Sequence, residues 1–244
     1  FILQSISSPG VTAGVAPTLT GKYYGDVITD GGVTWYIANN SAAVAVLIDT
    51  ASTYIRFEGC DFTGSFFNAA QVVNNFGGNA PDVISFEKCT AAGLVGNAFN
   101  VLAARRISIC ECEMQVCVGA FTDEGGIYTG SGSNGEATFD NNLIAGGYSI
   151  GIRLGNTGGG HVSATGNKCF CTIGLYVEAN VTKFDFYFND CGASAIFGAC
   201  TQAITVAVGT SNDYNIVYNK TKGATTGVSD GGTGVTKNVS ANNT

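Results

Sequence analysis

Charge is scarce in this chain. Asp, Glu, Lys and Arg make up 12% of its 244 residues, while 45% are hydrophobic. That balance is too apolar for a disordered chain. Lys and Arg number 11 against 18 Asp and Glu, a net charge of −7. A deficit of cations argues against nucleic acid as the main partner but leaves neutral or acidic glycans open. Histidine occurs once, at His161, and none of the cysteine spacings reads as a four-ligand zinc site. No metal and no cofactor are therefore expected. No run of 18 apolar residues occurs, so no membrane insertion is expected. Helix-period patterns with caps are also missing. The start, "FILQSISSPG", has neither Met nor a basic leader and does not read as a signal peptide, so the chain is expected to be an internal piece of a longer protein.

Two residue types are plentiful. Glycine fills 35 positions, and cysteine, at nine, is an odd count. A small secreted disulfide scaffold more often has an even number, so mostly reduced thiols are expected. The Asn-x-Ser/Thr sites at Asn39, Asn180, Asn219, Asn238 and Asn242 are what an Asn- and Thr-rich chain makes by chance.

An internal repeat decides the fold class. Seven segments read apolar, x, apolar, x, x, then small polar or thiol. They are "IRFEGC" from Ile55, "ISFEKC" from Ile84, "ISICEC" from Ile107, "ATFDNN" from Ala137, "VSATGN" from Val162, "FYFNDC" from Phe186 and "VAVGTS" from Val206. Alternation of this kind marks strands, and a period near 25 residues marks a solenoid. A second series runs between them: "GIYTG" at Ile127, "GIRLG" at Ile152, "GLYVE" at Leu175, "AIFGA" at Ile196 and "NIVYN" at Ile216. Two series advancing together predict an all-β parallel β-helix of about seven coils over residues 46–220. A small β-module precedes it (1–45), and a Gly/Thr/Asn-rich segment follows it (221–244).

Stacked coils place equivalent positions in columns. The sixth position predicts an interior column of Cys60, Cys89, Cys112, Asn142, Asn167, Cys191 and Ser211. The fourth predicts an outward column of Glu58, Glu87, Cys110, Asp140, Thr165, Asn189 and Gly209. Glu87 and Asp140 would lie two rungs apart, roughly 10 Å. Glycosidases use two carboxylates as acid and base or nucleophile, about 5 Å apart for retention and roughly 6.5–9.5 Å for inversion. Glu58, Glu87 and Asp140 are therefore candidate catalytic groups, with a solvated polar face as the plainer alternative. The longest coil adds Asp123 and Glu124 in "FTDEGG", placed to face Arg153 and His161 of the next coil. The second series predicts an outward stripe of Tyr128, Arg153, Tyr176, Phe197 and Val217. Tyr128, Arg153, Tyr176 and His161 are candidate substrate contacts, and a face covered by another subunit is the competing reading of the stripe. Lys and Arg are too few for a lyase to be the better enzyme reading.

The front end carries a resemblance. Ala16, Pro17 and Thr18, followed by Thr29, Asp30, Gly31, Val33, Thr34 and Trp35, resemble a short β-module of bacteriophage tail fibre and tailspike proteins, with an extra Gly32. The body is similar in pattern to the pectate-lyase-like right-handed β-helix of tailspikes. The resemblance implies a virion protein of the phage tail, made in the bacterial cytoplasm. It also implies a homotrimer, attached to other tail proteins, that binds bacterial surface polysaccharide (capsule or O-antigen) and in many cases depolymerises it. A non-enzymatic fibre segment that only binds or spaces is the alternative. A pectinase-like enzyme is a more distant one.

Overall fold

The computed structural model describes residues 2–5, 27–30, 33–38, 44–49, 52–64, 67–74, 79–115, 125–130, 135–155, 160–196, 198–209 and 211–242, with side chains from residue 44 onward. It divides into two compact units, 1–44 and 45–244. In the first, Val33–Ala38 is the middle strand of an antiparallel sheet between Ile2–Ser5 and Val27–Asp30. Asp30 lies opposite Val33 and Ile28 opposite Trp35, so the Thr-Asp/Val-Thr-Trp match of the sequence forms a hairpin. Ala16, Pro17 and Thr18 lie outside the described residues.

The second unit is a parallel β-solenoid of about seven turns with three faces. Sheet I stacks eight strands, from Val44–Ile48 through Gly125–Thr129, Ile150–Leu154 and Ile173–Val177 to Gln202–Gly209 and Thr226–Gly232. Sheet II stacks eight more, from Thr53–Glu58 through Asp82–Glu87, Arg106–Cys110, Glu136–Asp140, His161–Thr165 and Thr182–Tyr187 to Asn212–Val217 and Lys237–Ser240. Sheet III stacks five short strands, from Asp61–Thr63 to Lys168–Phe170. The stack runs past residue 220, because Thr226–Gly232 and Lys237–Ser240 pair as its last rungs.

Strand alternation fills the interior with apolar side chains. Ile84, Phe86, Ile109, Phe139, Ala164, Phe184 and Phe186 of sheet II are buried. Their rings stack between coils: Phe57 lies on Phe86 at 5.0 Å, and Phe184 on Tyr214 at 4.5 Å. Across from them, Gly126, Gly151 and Gly174 of sheet I make room for the side chains of sheet III. A Cβ on Gly151 would lie 2.7 Å from the Cβ of Cys169.

The register corrects part of the expected repeat. Phe184, not Phe186, is the rung partner of Val162, and Tyr214 follows Phe184. "VAVGTS" belongs to sheet I and "NIVYN" to sheet II, the reverse of the expectation. The interior column therefore holds Asn189 and Asn219 where Cys191 and Ser211 were expected. It runs Cys60, Cys89, Cys112, Asn142, Asn167, Asn189, Asn219 and Asn242 (each two residues beyond the outward position of its strand). Cys191 lies elsewhere, beside Cys169 on the sheet III side. The reason is chemical: an amide donates and accepts at once. Asn142 Nδ2 donates to Asn167 Oδ1 at 2.9 Å, Asn167 Nδ2 to Asn189 Oδ1 at 2.9 Å and Asn189 Nδ2 to Asn219 Oδ1 at 2.9 Å. A thiol at those rungs would break the chain of bonds.

Candidate functional site

The outward face of sheet II gathers Glu58, Glu87 and Asp140. Glu58 pairs with Glu87 in register, Glu87 with Cys110, and Cys110 with Asp140. Beyond Thr165 the column continues with Tyr187 and Val217, correcting the expected Asn189 and Gly209. Arg56, two residues before Glu58, bonds Glu87 at 2.6 Å and sits 3.1 Å from Glu58. Both glutamates thus share one guanidinium on an open surface.

Among the described residues Asp140 has no such cation, and its buried Oδ1 has no hydrogen-bond partner. Burial raises its pKa above the ordinary carboxylate value, and the Thr165 amide offsets this only in part. Between the acids, the Cys110 thiol is pushed up by burial and lies 3.0 Å from Ser108 Oγ. The face therefore carries one carboxyl whose pKa is raised by burial, two rungs from one that is ion-paired to Arg56. Two carboxyls in different environments can divide acid and base roles.

His161 shares this face. Its Nε2 lies 2.9 Å from Asp185 Oδ2, and Asn215 Nδ2 donates to the other oxygen of Asp185 at 2.7 Å. Arg153 is on sheet I, so the two residues expected to face one acidic pair stand on different faces. Asp123 and Glu124 lie outside the described residues.

Sheet I carries the aromatic and cationic stripe. Tyr128, Arg153 and Tyr176 are successive register partners, and Thr205 and Ser229 continue the column. Val217, expected there, is on sheet II, and Phe197 lies outside the described residues. The Arg153 guanidinium sits 5.3 Å from the Tyr128 ring centroid and bonds Glu178 through Nε at 2.8 Å. Burial, then the Glu178 charge, raises the Tyr128 phenol, with Arg153 opposing them. Glu178 was not singled out from the sequence. Its position one strand residue beyond "GLYV" held the signal, since Arg153 sits one rung back.

Cys89 and Cys112, inside the column, are not poised as reactive centres. The eight described cysteines are free. Burial pushes Cys112 up to about 12, and Cys89 is raised for the same reason. Thiols so shifted stay protonated at neutral pH and lack the thiolate that redox or metal chemistry needs.

The fold and these faces define the class of protein: a parallel β-solenoid with polar and aromatic columns on its outer faces. No protein-family model, curated protein or solved structure matches the chain.

Proposed function

We propose that this chain is part of a phage tailspike that recognises and depolymerises a bacterial surface polysaccharide by hydrolysis. The observation that carries the reading is Asp140, a carboxyl with a raised pKa and an unpartnered oxygen, two rungs from Glu87 on an open face. The tail-fibre-like hairpin at Trp35 and the solenoid support the setting.

In the reaction, Asp140 gives its proton to the glycosidic oxygen. The bond from that oxygen to the anomeric carbon breaks, and its electron pair stays on the oxygen. Glu87 takes a proton from the water that attacks the anomeric carbon from the other side. Two rungs separate the strands by about 10 Å, nearer the spacing of inverting than of retaining enzymes. The sheet I stripe adds ring faces and a cation for holding the polymer, and a homotrimer would cover one outer face of each copy.

A second reading is binding without cleavage. The engagement of Glu58 and Glu87 by Arg56 favours it, because that ion pair must open for Glu87 to reach water. Incubation with surface polysaccharides of candidate hosts separates the two. Release of oligosaccharides supports hydrolysis, and retention of intact polymer supports binding alone. Light scattering tests the trimer, and a stable monomer would remove that part of the reading.

A further inference from the structure

Phe188 and Tyr218 stand at consecutive rungs of the corner between sheet II and sheet III. That corner turns on one residue per coil: Gly59, Lys88, Glu111, Asn141, Gly166, Phe188, Tyr218 and Ala241, all with positive φ. This region suits glycine and asparagine and disfavours large side chains. Lys88 and Glu111 depart from that preference, and so do Phe188, at φ 56, and Tyr218, at φ 60, the two that carry aromatic rings. Burial does not compensate, because they are 62% and 58% exposed.

The two rings lie face to face, with centroids 5.4 Å apart and planes within 8°. Their column neighbours, Gly166 and Ala241, offer no ring to extend the stack, and the Tyr187 ring lies tilted beside Phe188 at 6.5 Å.

The strand that leads into Tyr218 also borders an open cleft of about 360 Å³, lined by Asp213, Tyr214, Asn215, Thr236, Lys237 and Asn238. Lys237 is bound to Asp230 at 2.7 Å and so presents little free charge to a ligand. Exposed apolar ring faces at one end of the strand, with a polar cleft further back along it, suit one chemistry: a pyranose chain lays its C–H faces on the rings and gives its hydroxyls to polar groups. A protein partner would need a much larger contact than two rings.

We propose that the Phe188–Tyr218 step, with the cleft further back along the strand, binds an uncharged pyranose oligosaccharide, at a site separate from Asp140 and Arg153. This rests on the glycan reading for its ligand class only. The test is saturation-transfer NMR with maltohexaose and cellohexaose as neutral probes and trigalacturonate as the anionic control. Wild type, Phe188→Asn, Tyr218→Asn and Arg153→Ala are compared. At least one neutral probe receives saturation from wild type, and both Asn variants lose the effect by about tenfold, as expected for loss of a stacking contact. Both Asn variants also melt higher than wild type, since asparagine suits the left-handed corner; a stack kept only for stability would melt lower when broken. The proposal is overturned if neither neutral probe binds, if trigalacturonate binds better, or if both Asn variants bind as wild type does. A loss confined to Arg153→Ala would assign glycan binding to sheet I and overturn this site alone.

Discussion

Asn167 Oδ1 accepts two hydrogen bonds from one residue: Asn142 donates through its backbone amide at 3.0 Å and through Nδ2 at 2.9 Å. The same double acceptance recurs at Asn189 and Asn219. Each Nδ2 also reaches a carbonyl one coil back, as Asn167 does to Phe139 at 2.8 Å. In the first coils the thiols take this place: Cys112 Sγ contacts the Phe86 carbonyl at 3.5 Å, and Cys89 Sγ that of Phe57 at 3.6 Å. Asn167→Ala leaves two buried donors of Asn142 without an acceptor and is expected to cost about 3 kcal/mol. Cys112→Asn extends the ladder by one rung and is expected to fold with stability near wild type. Urea unfolding of the two variants checks both.

The repeat was legible because every coil alternates apolar and polar residues. Its phase was not legible everywhere. "FDFYFN" alternates for so long that sliding it by two residues keeps every apolar side chain on the same face. The segment from Phe186 thus fitted as well as the one from Phe184, and only the amide ladder selects Asn189. The acid column was legible where the phase held, at Glu58, Glu87 and Asp140. The partnership of Arg153 with Glu178 depends on side-chain reach across a rung, which alternation does not encode. The aromatic step at Phe188 and Tyr218 was missed because its signal is a backbone angle.

The buried thiols should resist modification. Cys112, Cys169 and Cys191 are buried, and the Cys112 thiol is pushed up to about 12. Brief alkylation of the native protein at pH 8, read by mass spectrometry, is expected to leave all three unlabelled and to label them in urea. Rapid native labelling of Cys112 would contradict the interior column.

Asp140 should make stability depend on pH in a defined direction. Its folded pKa is raised by burial above the model-compound value of 3.8. Such a group favours the folded state below its unfolded pKa, and that contribution is lost as pH rises through the folded value. Asp140→Asn is therefore expected to melt higher than wild type at pH 7, with the gap closing below pH ~4. Melting curves between those limits check the sign.

Gly151 is required by packing between sheets I and III. A side chain there would meet the Gly174 carbonyl as well as Cys169, and backbone cannot swing aside as a flexible side chain can. Gly151→Val is expected to destabilise the solenoid by about 3 kcal/mol, measured by urea unfolding.

Catalysis by Asp140 and Glu87 is tested most directly by counting the oligosaccharide ends released from host surface polysaccharide. Wild type, Asp140→Asn and Glu87→Gln are compared, with folding confirmed by melting. Release by wild type and a loss of about 100-fold or more in each variant is the predicted result, the scale of a missing acid or base. No release by wild type, or equal release by all three proteins, would contradict it.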